Sequence, residues 1–357
     1  MKSKKNDKKI NFNFLNENKI KDGFYSAKYF LKTRKIVTNE MPGHIVKMQF
    51  FQRKKNVMLC GINEVISIFK KIINNKKIDL YALKDGDIIT KNEPVLKIIG
   101  KYEDFGFLES IIDGILSRRS RIATNAYRIK KLLKNKNISV FSMSDRQDDY
   151  LTQIGDGYAM YIGGIKNIST DAQGFLWGGE ASGTMPHALI QMCKGDIIKA
   201  TELYIKTFPN EKVISLVDYN NDVINDSLAV AKKFKKKLYG VRVDTSKSLV
   251  DKYFNDKNTD NFDPRGVCKE LIIALRKELD NHNFKYVKII VSSGFNYKKI
   301  KEWLKLNIPV DIYGVGSAII FENKIDFTGD LVEIDGIKEA KKGRFDIISK
   351  RLKKIKL

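Results

Sequence analysis

The chain has 357 residues, 43% of them hydrophobic and 30% charged, which supports a large core and more than one domain and excludes a wholly disordered polymer. Lys and Arg outnumber Asp and Glu by 66 to 42, a formal net charge of +24 that attracts polyanions. The lysines are spread along the whole length and no RNP-like, zinc-finger or heptad pattern accompanies them, so the charge reads as a solvated surface with a steering role and predicts no dedicated nucleic-acid partner.

The opening Met1–Asn16 stretch is rich in Lys and Asn and has no apolar core, which predicts no signal peptide. Strands are expected at Ile45–Gln52, Val57–Cys60 and Val95–Ile99, with turn chemistry at Lys84-Asp85-Gly86-Asp87 between the last two. Glu64–Asn74 has the spacing of a short amphipathic helix, and the whole reads as a small α/β sandwich over residues 1–125. Leu108–Leu133 carries apolar residues at helical spacing and bridges into a second unit. From Asn137 the pattern changes to short Val/Ile-rich runs that end in polar or Gly-rich loops: Ile138–Phe141, Met160–Ile162, Val213–Val217, Leu238–Val243, Val287–Val291 and Val310–Tyr313. Helices are expected between them at Asp222–Phe234, Pro264–Leu279 and Tyr297–Leu304. Strands alternating with helices predict parallel βα units, and six in succession favour a closed α/β barrel over residues 126–320, with polar residues just after the strands where barrel enzymes place their sites. The basic residues 321–357, with Lys341-Lys342 and Arg351–Lys356, are expected to form a surface helix packing on the N-terminal unit or on the surface. No apolar run reaches the ~18–20 residues of a membrane span. Cys60, Cys193 and Cys268 are odd in number and far apart, which argues against disulfides or a zinc site and fits a reducing cytoplasm.

Several loops carry chemistry. Val291-Ser292-Ser293-Gly294-Phe295 and Tyr313-Gly314-Val315-Gly316-Ser317 follow the last two strands, where Gly permits close backbone approach to phosphate oxygens; each alone is equally an ordinary tight turn. Arg242 offers a planar fork of donors for phosphate or carboxylate, and Asp244 with Thr245 offers oxygens for sugar hydroxyls, a structural Arg–Asp ion pair being the alternative. Asp218 stands at another strand end, placed to hold Mg²⁺ through water, while Asp222 suits a helix cap. In Gly183-Thr184-Met185-Pro186-His187-Ala188-Leu189-Ile190, Thr184 reads as an N-cap and Pro186 as a first-turn residue. His187 would then sit at the positive end of a helix, neutral and nucleophilic, although a lone histidine is commonly structural.

Seven segments together resemble the nicotinate phosphoribosyltransferases of type II phosphoribosyltransferase fold, over Ile20 to Ile320. They are YSAKYFLKT from Tyr25, MQFFQ from Met48, QIGDGYAMYIGG from Gln153, GTMPHALI from Gly183, SLVDYNND from Ser215, RVDTS from Arg242 and YGVGS from Tyr313. The resemblance implies transfer of phosphoribose from phosphoribosyl pyrophosphate to nicotinate, coupled to ATP hydrolysis, requiring Mg²⁺, in a homodimer with shared active sites. It implies that His187 is the histidine phosphorylated by ATP and that Arg242 and Asp244 contact the phosphoribosyl group. By the same resemblance Ser292, Gly294, Gly316 and Ser317 lie in phosphate loops, Tyr29 stacks on the pyridine ring from the neighbouring subunit, and Arg146 lies near the substrate. Ser293 stands where the pattern has a second Gly, and the Arg146 loop carries Asp145, Asp148 and Asp149.

Three alternatives stand beside this reading. Quinolinate phosphoribosyltransferase shares the fold, but needs a denser Arg/Lys cluster and no phosphorylatable histidine. A nicotinamide-using enzyme would prefer a carboxylate beside the amide, for which the acidic loop offers candidates. A basic RNA-binding protein on a retired enzyme scaffold would bind RNA with steep salt dependence and show no turnover.

Overall fold

The computed structural model describes residues 12, 14–73 and 77–357. Most of the Met1–Asn16 stretch, and Asn74 at the end of the expected Glu64–Asn74 helix, lie outside the described residues. In chain order the N-terminal part holds α1 (Lys28–Glu40), β1 (Ile45–Gln52), α2 (Ile62–Ile72), β2 (Asp79–Ala82) and β3 (Leu96–Lys101). The long α3 (Glu109–Leu132) follows, then β4 (Ser139–Ser142), α4 (Gln153–Ile162), α5 (His187–Met192), β5 (Val213–Leu216) and α6 (Val223–Phe234). β6 (Leu238–Val243), α7 (Lys269–Asn281), β7 (Lys288–Val291), α8 (Tyr297–Lys305), β8 (Ile312–Val315) and α9 (Ser317–Phe321) complete the alternating region. The chain ends in β9 (Phe327–Ile334), β10 (Ile337–Lys338) and β11 (Lys353–Ile355). No helix among the described residues is long and apolar enough to cross a membrane. All three cysteines are free.

Two sheets organise these elements. One is antiparallel in the order β10-β9-β1-β3-β2-β11, with α2 and the start of α3 packed on it through Val65, Ile68, Phe69, Ile112 and Leu116. The other is parallel in the order β4-β8-β7-β6-β5, its core built from Val241, Val243, Ile289, Val291 and Val315 against residues such as Leu271 and Ile300 of the helices. Single parallel bridges, Phe141 to Asn167 and Ile168 to Ala181, carry the ladder two steps beyond β4. The return from this edge to β5 is made by side chains: Met185 and Ile190 pack on Leu216. The mixed α/β class with a parallel sheet is as expected, and among the described residues the ladder stays open between β5 and the Ile168–Ala181 bridge.

Three expectations need correction. The Met160–Ile162 run is not a strand but the end of α4. Glycines let this helix press into its neighbours: a Cβ on Gly163 would lie 2.5 Å from that of Ala126 on α3, and one on Gly157 would overlap the Gln173 backbone at 2.1 Å. A short apolar run in a fully packed helix looks like a buried strand. The expected Pro264–Leu279 helix begins only at Lys269, because Gly266 adopts φ +67° and Arg265 bridges to Val250. The basic tail forms no helix. β11 instead pairs antiparallel with the edge of β2, Lys353 opposite Ala82, where exposed lysines also shield the new edge. The segment before it is held by the buried Gln49, whose Nε2 donates to Phe345 O at 2.9 Å while its Oε1 accepts from Ile347 N at 3.0 Å.

The Asp85-Gly86 turn forms as expected, with Gly86 at φ +94°. The start of α6 shows a division of labour that the sequence did not reveal. Asp222 is the N-cap residue but makes no capping bond; the buried Asp251 accepts from Val223 N at 3.0 Å and from Tyr253 N at 2.9 Å.

Three carboxylates face one another where α3 meets β9. Burial, with Asp113 and Asp330 nearby, pushes the Glu109 carboxyl up to about 8, and Asp113 rises to about 6. A carboxyl whose folded pKa exceeds its unfolded one of about 4.5 costs stability as pH rises through that window, because the unfolded chain releases its proton first. Glu109→Gln is therefore expected to stabilise the protein by on the order of 1–2 kcal/mol at pH 9 after allowance for solvent screening, with a smaller gain at pH 5. Urea denaturation at the two pH values checks this; an equal gain at both would remove the carboxylate cluster as the cause.

Candidate active site

The polar residues at the ends of the parallel strands meet on one face. On β6 the buried Val241 and Val243 point into the core, so Arg242 and Asp244, each offset by one, share the opposite face. Strand pairing continues past the strand ends, with Val217 N donating to Arg242 O at 3.1 Å and Ser292 N to Val243 O at 3.0 Å. This register brings Asp218, Arg242, Asp244 and Ser292 side by side.

Each member has a defined partner. Arg242 Nη1 donates to Thr184 Oγ1 at 2.8 Å, Ser292 Oγ donates to Asp244 Oδ1 at 2.7 Å, and His187 Nε2 lies 3.1 Å from Asp218 Oδ1. Arg242 Nε and Thr245 Oγ1 are buried and have no hydrogen-bond partner among the described residues. Burial lowers the Arg242 guanidinium below its ordinary value, while Asp244 and Asp218 pull it back up and Arg146 opposes them. Burial raises the Asp218 carboxyl, helped by the charge of Asp244 and countered by His187. A cationic fork with an unmatched donor, flanked by carboxylates and a buried hydroxyl, suits a ligand that carries both anionic oxygens and hydroxyl groups.

The setting of His187 differs from the sequence expectation. The N-cap of α5 is Pro186, with no side-chain capping bond, and Thr184 turns instead to Arg242. Pro186 is extended, so the helix starts one residue later, at His187 itself. With six residues α5 has little macrodipole, and the orientation of the ring comes from Asp218. The imidazole is partly exposed, its side chain at 45%, while Asp218 is buried.

The acidic residues of the loop after β4 are each held by a hydrogen bond. Asp145 accepts from Ser169 Oγ at 3.0 Å, Asp148 accepts from Arg118 Nη2 at 2.8 Å, and Asp149 caps a short turn through Leu151 N at 2.8 Å. With its carboxylates thus engaged, the loop presents the exposed Arg146.

The two glycine loops lie side by side because β7 and β8 pair, Tyr313 opposite Val291. Ser293 and Gly294 both have positive φ, 72° and 76°, so the serine in the place of a glycine adopts the conformation a glycine would. Gly314 is not open to a ligand: it lies within β8 beneath Met143, whose Sδ would sit 2.7 Å from a Cβ there. Gly316 is similarly approached by Met143 O at 2.8 Å and Gln147 Nε2 at 3.2 Å, whereas Ser317 is exposed at the start of α9. These two glycines admit the β4 loop. Met143 and Gln147 carried no signal of that in the sequence, since a loop residue's neighbour across two strands has no local signature. Tyr29 lies on α1, 64% exposed, its ring 4.3 Å from that of Phe30, and α1 packs on the N-terminal unit rather than on this strand-end cluster.

Comparison with known proteins points the same way. Residues 29–120 match the family described as quinolinate phosphoribosyl transferase, N-terminal domain. Nicotinate phosphoribosyltransferases of Bacillus subtilis and Mycobacterium tuberculosis are 25% and 23% identical over 264 and 268 residues, covering 72% and 74% of this chain and 49% and 53% of theirs. The chain thus spans about half the length of the curated relatives it matches. The human nicotinic acid phosphoribosyltransferase structure superposes with a TM-score of 0.65 at 15% identity, over 88% of this chain and 75% of that one, a likeness of fold. The structure of a nicotinate-nucleotide pyrophosphorylase from Pyrococcus furiosus matches with a TM-score of 0.79 and 33% identity, over 94% of this chain and 81% of that one. Shared sequence at that level across nearly the whole fold establishes that the chain belongs to the type II phosphoribosyltransferase family.

Proposed function

We propose that the chain is a nicotinate phosphoribosyltransferase, forming nicotinate mononucleotide and pyrophosphate from nicotinate and phosphoribosyl pyrophosphate, with ATP hydrolysis coupled through His187, in the synthesis of NAD. The observation that carries this reading is the His187–Asp218 contact at 3.1 Å inside the Arg242–Asp244 cluster. With Asp218 as carboxylate, Nε2 donates to it and Nδ1 keeps the lone pair that would take the γ-phosphoryl of ATP, releasing ADP. Arg242 would hold anionic oxygens of the phosphoribosyl group, and Asp244, steadied by Ser292, would face the positive charge that develops on the ribose as pyrophosphate leaves. The names of the curated relatives support nicotinate as the acceptor, and the engaged carboxylates beside Arg146 favour an anionic ring over nicotinamide.

Asp218 and Asp244 at adjacent strand ends fit Mg²⁺, which keeps its waters and takes one or two protein carboxylates beside substrate phosphates. Bound there, Mg²⁺ would neutralise charge on the departing pyrophosphate. A homodimer is proposed from the exposed Phe24, Tyr25, Tyr29, Ile36 and Met41 on α1 and at its two ends, an apolar strip that a second copy would cover while receiving Tyr29 in its own site.

The test is turnover of purified protein with phosphoribosyl pyrophosphate and nicotinate, nicotinamide or quinolinate, each with and without ATP. Mononucleotide from nicotinate, stimulated by ATP, is expected. The match to a quinolinate enzyme's N-terminal domain makes quinolinate the necessary control, and product from it alone would overturn the reading. In His187→Asn, acid-labile label from γ-labelled ATP should vanish while slow transfer persists at high phosphoribosyl pyrophosphate. Label and ATP stimulation that survive this change would remove His187 from the mechanism.

A further inference from the structure

Past β6 the backbone is pinned by Gly266. A Cβ at Gly266 would lie 3.2 Å from Lys247 Cα, and Gly266 N donates to Leu249 O at 2.8 Å. From this fixed base the exposed Lys247 side chain reaches across to the next strand's loop. Its Cε and Nζ would lie 2.7 Å and 3.1 Å from a Cβ placed on Gly294. The ammonium therefore lies against Gly294, the second of two consecutive left-handed residues, where the backbone permits close approach.

A second cation stands behind it. Lys299 Nζ on α8 donates to Val267 O at 3.0 Å and lies 4.3 Å and 5.2 Å from the ring centroids of Phe295 and Trp303. Burial lowers the Lys299 pKa and the charge of Lys247 lowers it further, so the two ammonium groups repel one another. Glu302, which acts on Lys299, is itself ion-paired with Lys269 at 3.4 Å. An anion between the two would remove the repulsion and gain charge-assisted hydrogen bonds.

We infer that Lys247, backed by Lys299, is a phosphate-binding residue that closes over the Ser292–Gly294 loop and takes the phosphate monoester of the phosphoribosyl group. The inference rests on the phosphoribosyl-transfer reading. Pyrophosphate, the other phosphate of that reaction, is the competing occupant. Its expected partners, Asp218, Asp244 and their metal ion, belong to the strand-end cluster rather than to this loop.

Calorimetric titration with ribose 5-phosphate and separately with pyrophosphate tests it. Lys247 is exposed, so Lys247→Ala is expected to fold normally, to bind ribose 5-phosphate about tenfold more weakly, and to bind pyrophosphate within about twofold of the unmodified chain. Lys247→Arg should restore most of the loss. Unchanged ribose 5-phosphate affinity in Lys247→Ala, in a chain that still makes mononucleotide, would overturn the Lys247 assignment alone. An equal or larger loss for pyrophosphate would overturn the monoester assignment. An unmodified chain that binds no ribose 5-phosphate and makes no mononucleotide would overturn the phosphoribosyl reading and this inference with it.

Discussion

Arg242→Ala is expected to cut kcat/KM by well over tenfold while leaving the fold intact. The guanidinium lies at a strand end rather than in the apolar core, and the charges of both Asp218 and Asp244 act on it. Its Nη1 is engaged by Thr184, but its Nε is buried without a partner among the described residues, a donor poised for a ligand. Each charge-assisted hydrogen bond lost to a bound anion costs about 1.5–3 kcal/mol, and two such bonds come from one fork. Removing the charge also leaves two carboxylates facing one another, which would repel an anionic substrate further. Arg242→Lys keeps the charge but not the planar fork, so it should recover only part of the loss. Near-normal kcat/KM in the alanine variant, with phosphoribosyl pyrophosphate varied, would exclude this strand end from the site.

The second large effect concerns stability. Arg119 on α3 is buried with Glu64 at 2.9 Å and Asp156 at 3.0 Å, and a Cβ on Gly155 would fall 2.0 Å from its Cζ. Its neighbour Arg118 reaches Asp156 at 2.7 Å and Asp148 at 2.8 Å, so one carboxylate of α4 is held by two arginines. Arg119→Ala leaves Glu64, 3% exposed, charged and without its partner, for a loss of about 3–5 kcal/mol. The double variant Arg119→Met with Glu64→Leu removes both charges and should regain most of that loss. Urea denaturation followed by circular dichroism decides it. A loss below about 1 kcal/mol in Arg119→Ala would mean that water reaches the pair and the network is not buried in effect.

The parallel region was readable because its strands are continuous Val/Ile runs closed by glycine or polar loops: Leu238–Val243 forms as expected, and Arg242, Asp244 and Asp218 fall at strand ends where such residues can meet. What was hidden is whatever depends on distant partners. Thr184 looks like a cap by local chemistry, yet a guanidinium 58 residues further along the chain claims its hydroxyl. Asp251 gives no local sign that it caps a helix 28 residues upstream. Gly314 and Gly316 read as phosphate turns until Met143 and Gln147 are seen to press on them. The tail misled for a related reason, since a Lys/Ile alternation fits a solvated helix or an edge strand equally and only the open side of β2 decides between them.

That added strand has a consequence for the order in which the molecule can be assembled. Three of the six strands of the antiparallel sheet, β9, β10 and β11, lie after the parallel region in the chain, and β11 borders a strand made some 270 residues earlier. During synthesis the N-terminal unit leaves the ribosome before the parallel region, with β1 and β2 exposing apolar faces and open edges. It must wait for the whole parallel region before its own sheet is complete. The parallel region can fold as it emerges, so the N-terminal unit, although made before it, is finished after it. Contacts of such long sequence separation are slow to form, and the interval leaves apolar strands open to chaperones or to a neighbouring nascent chain.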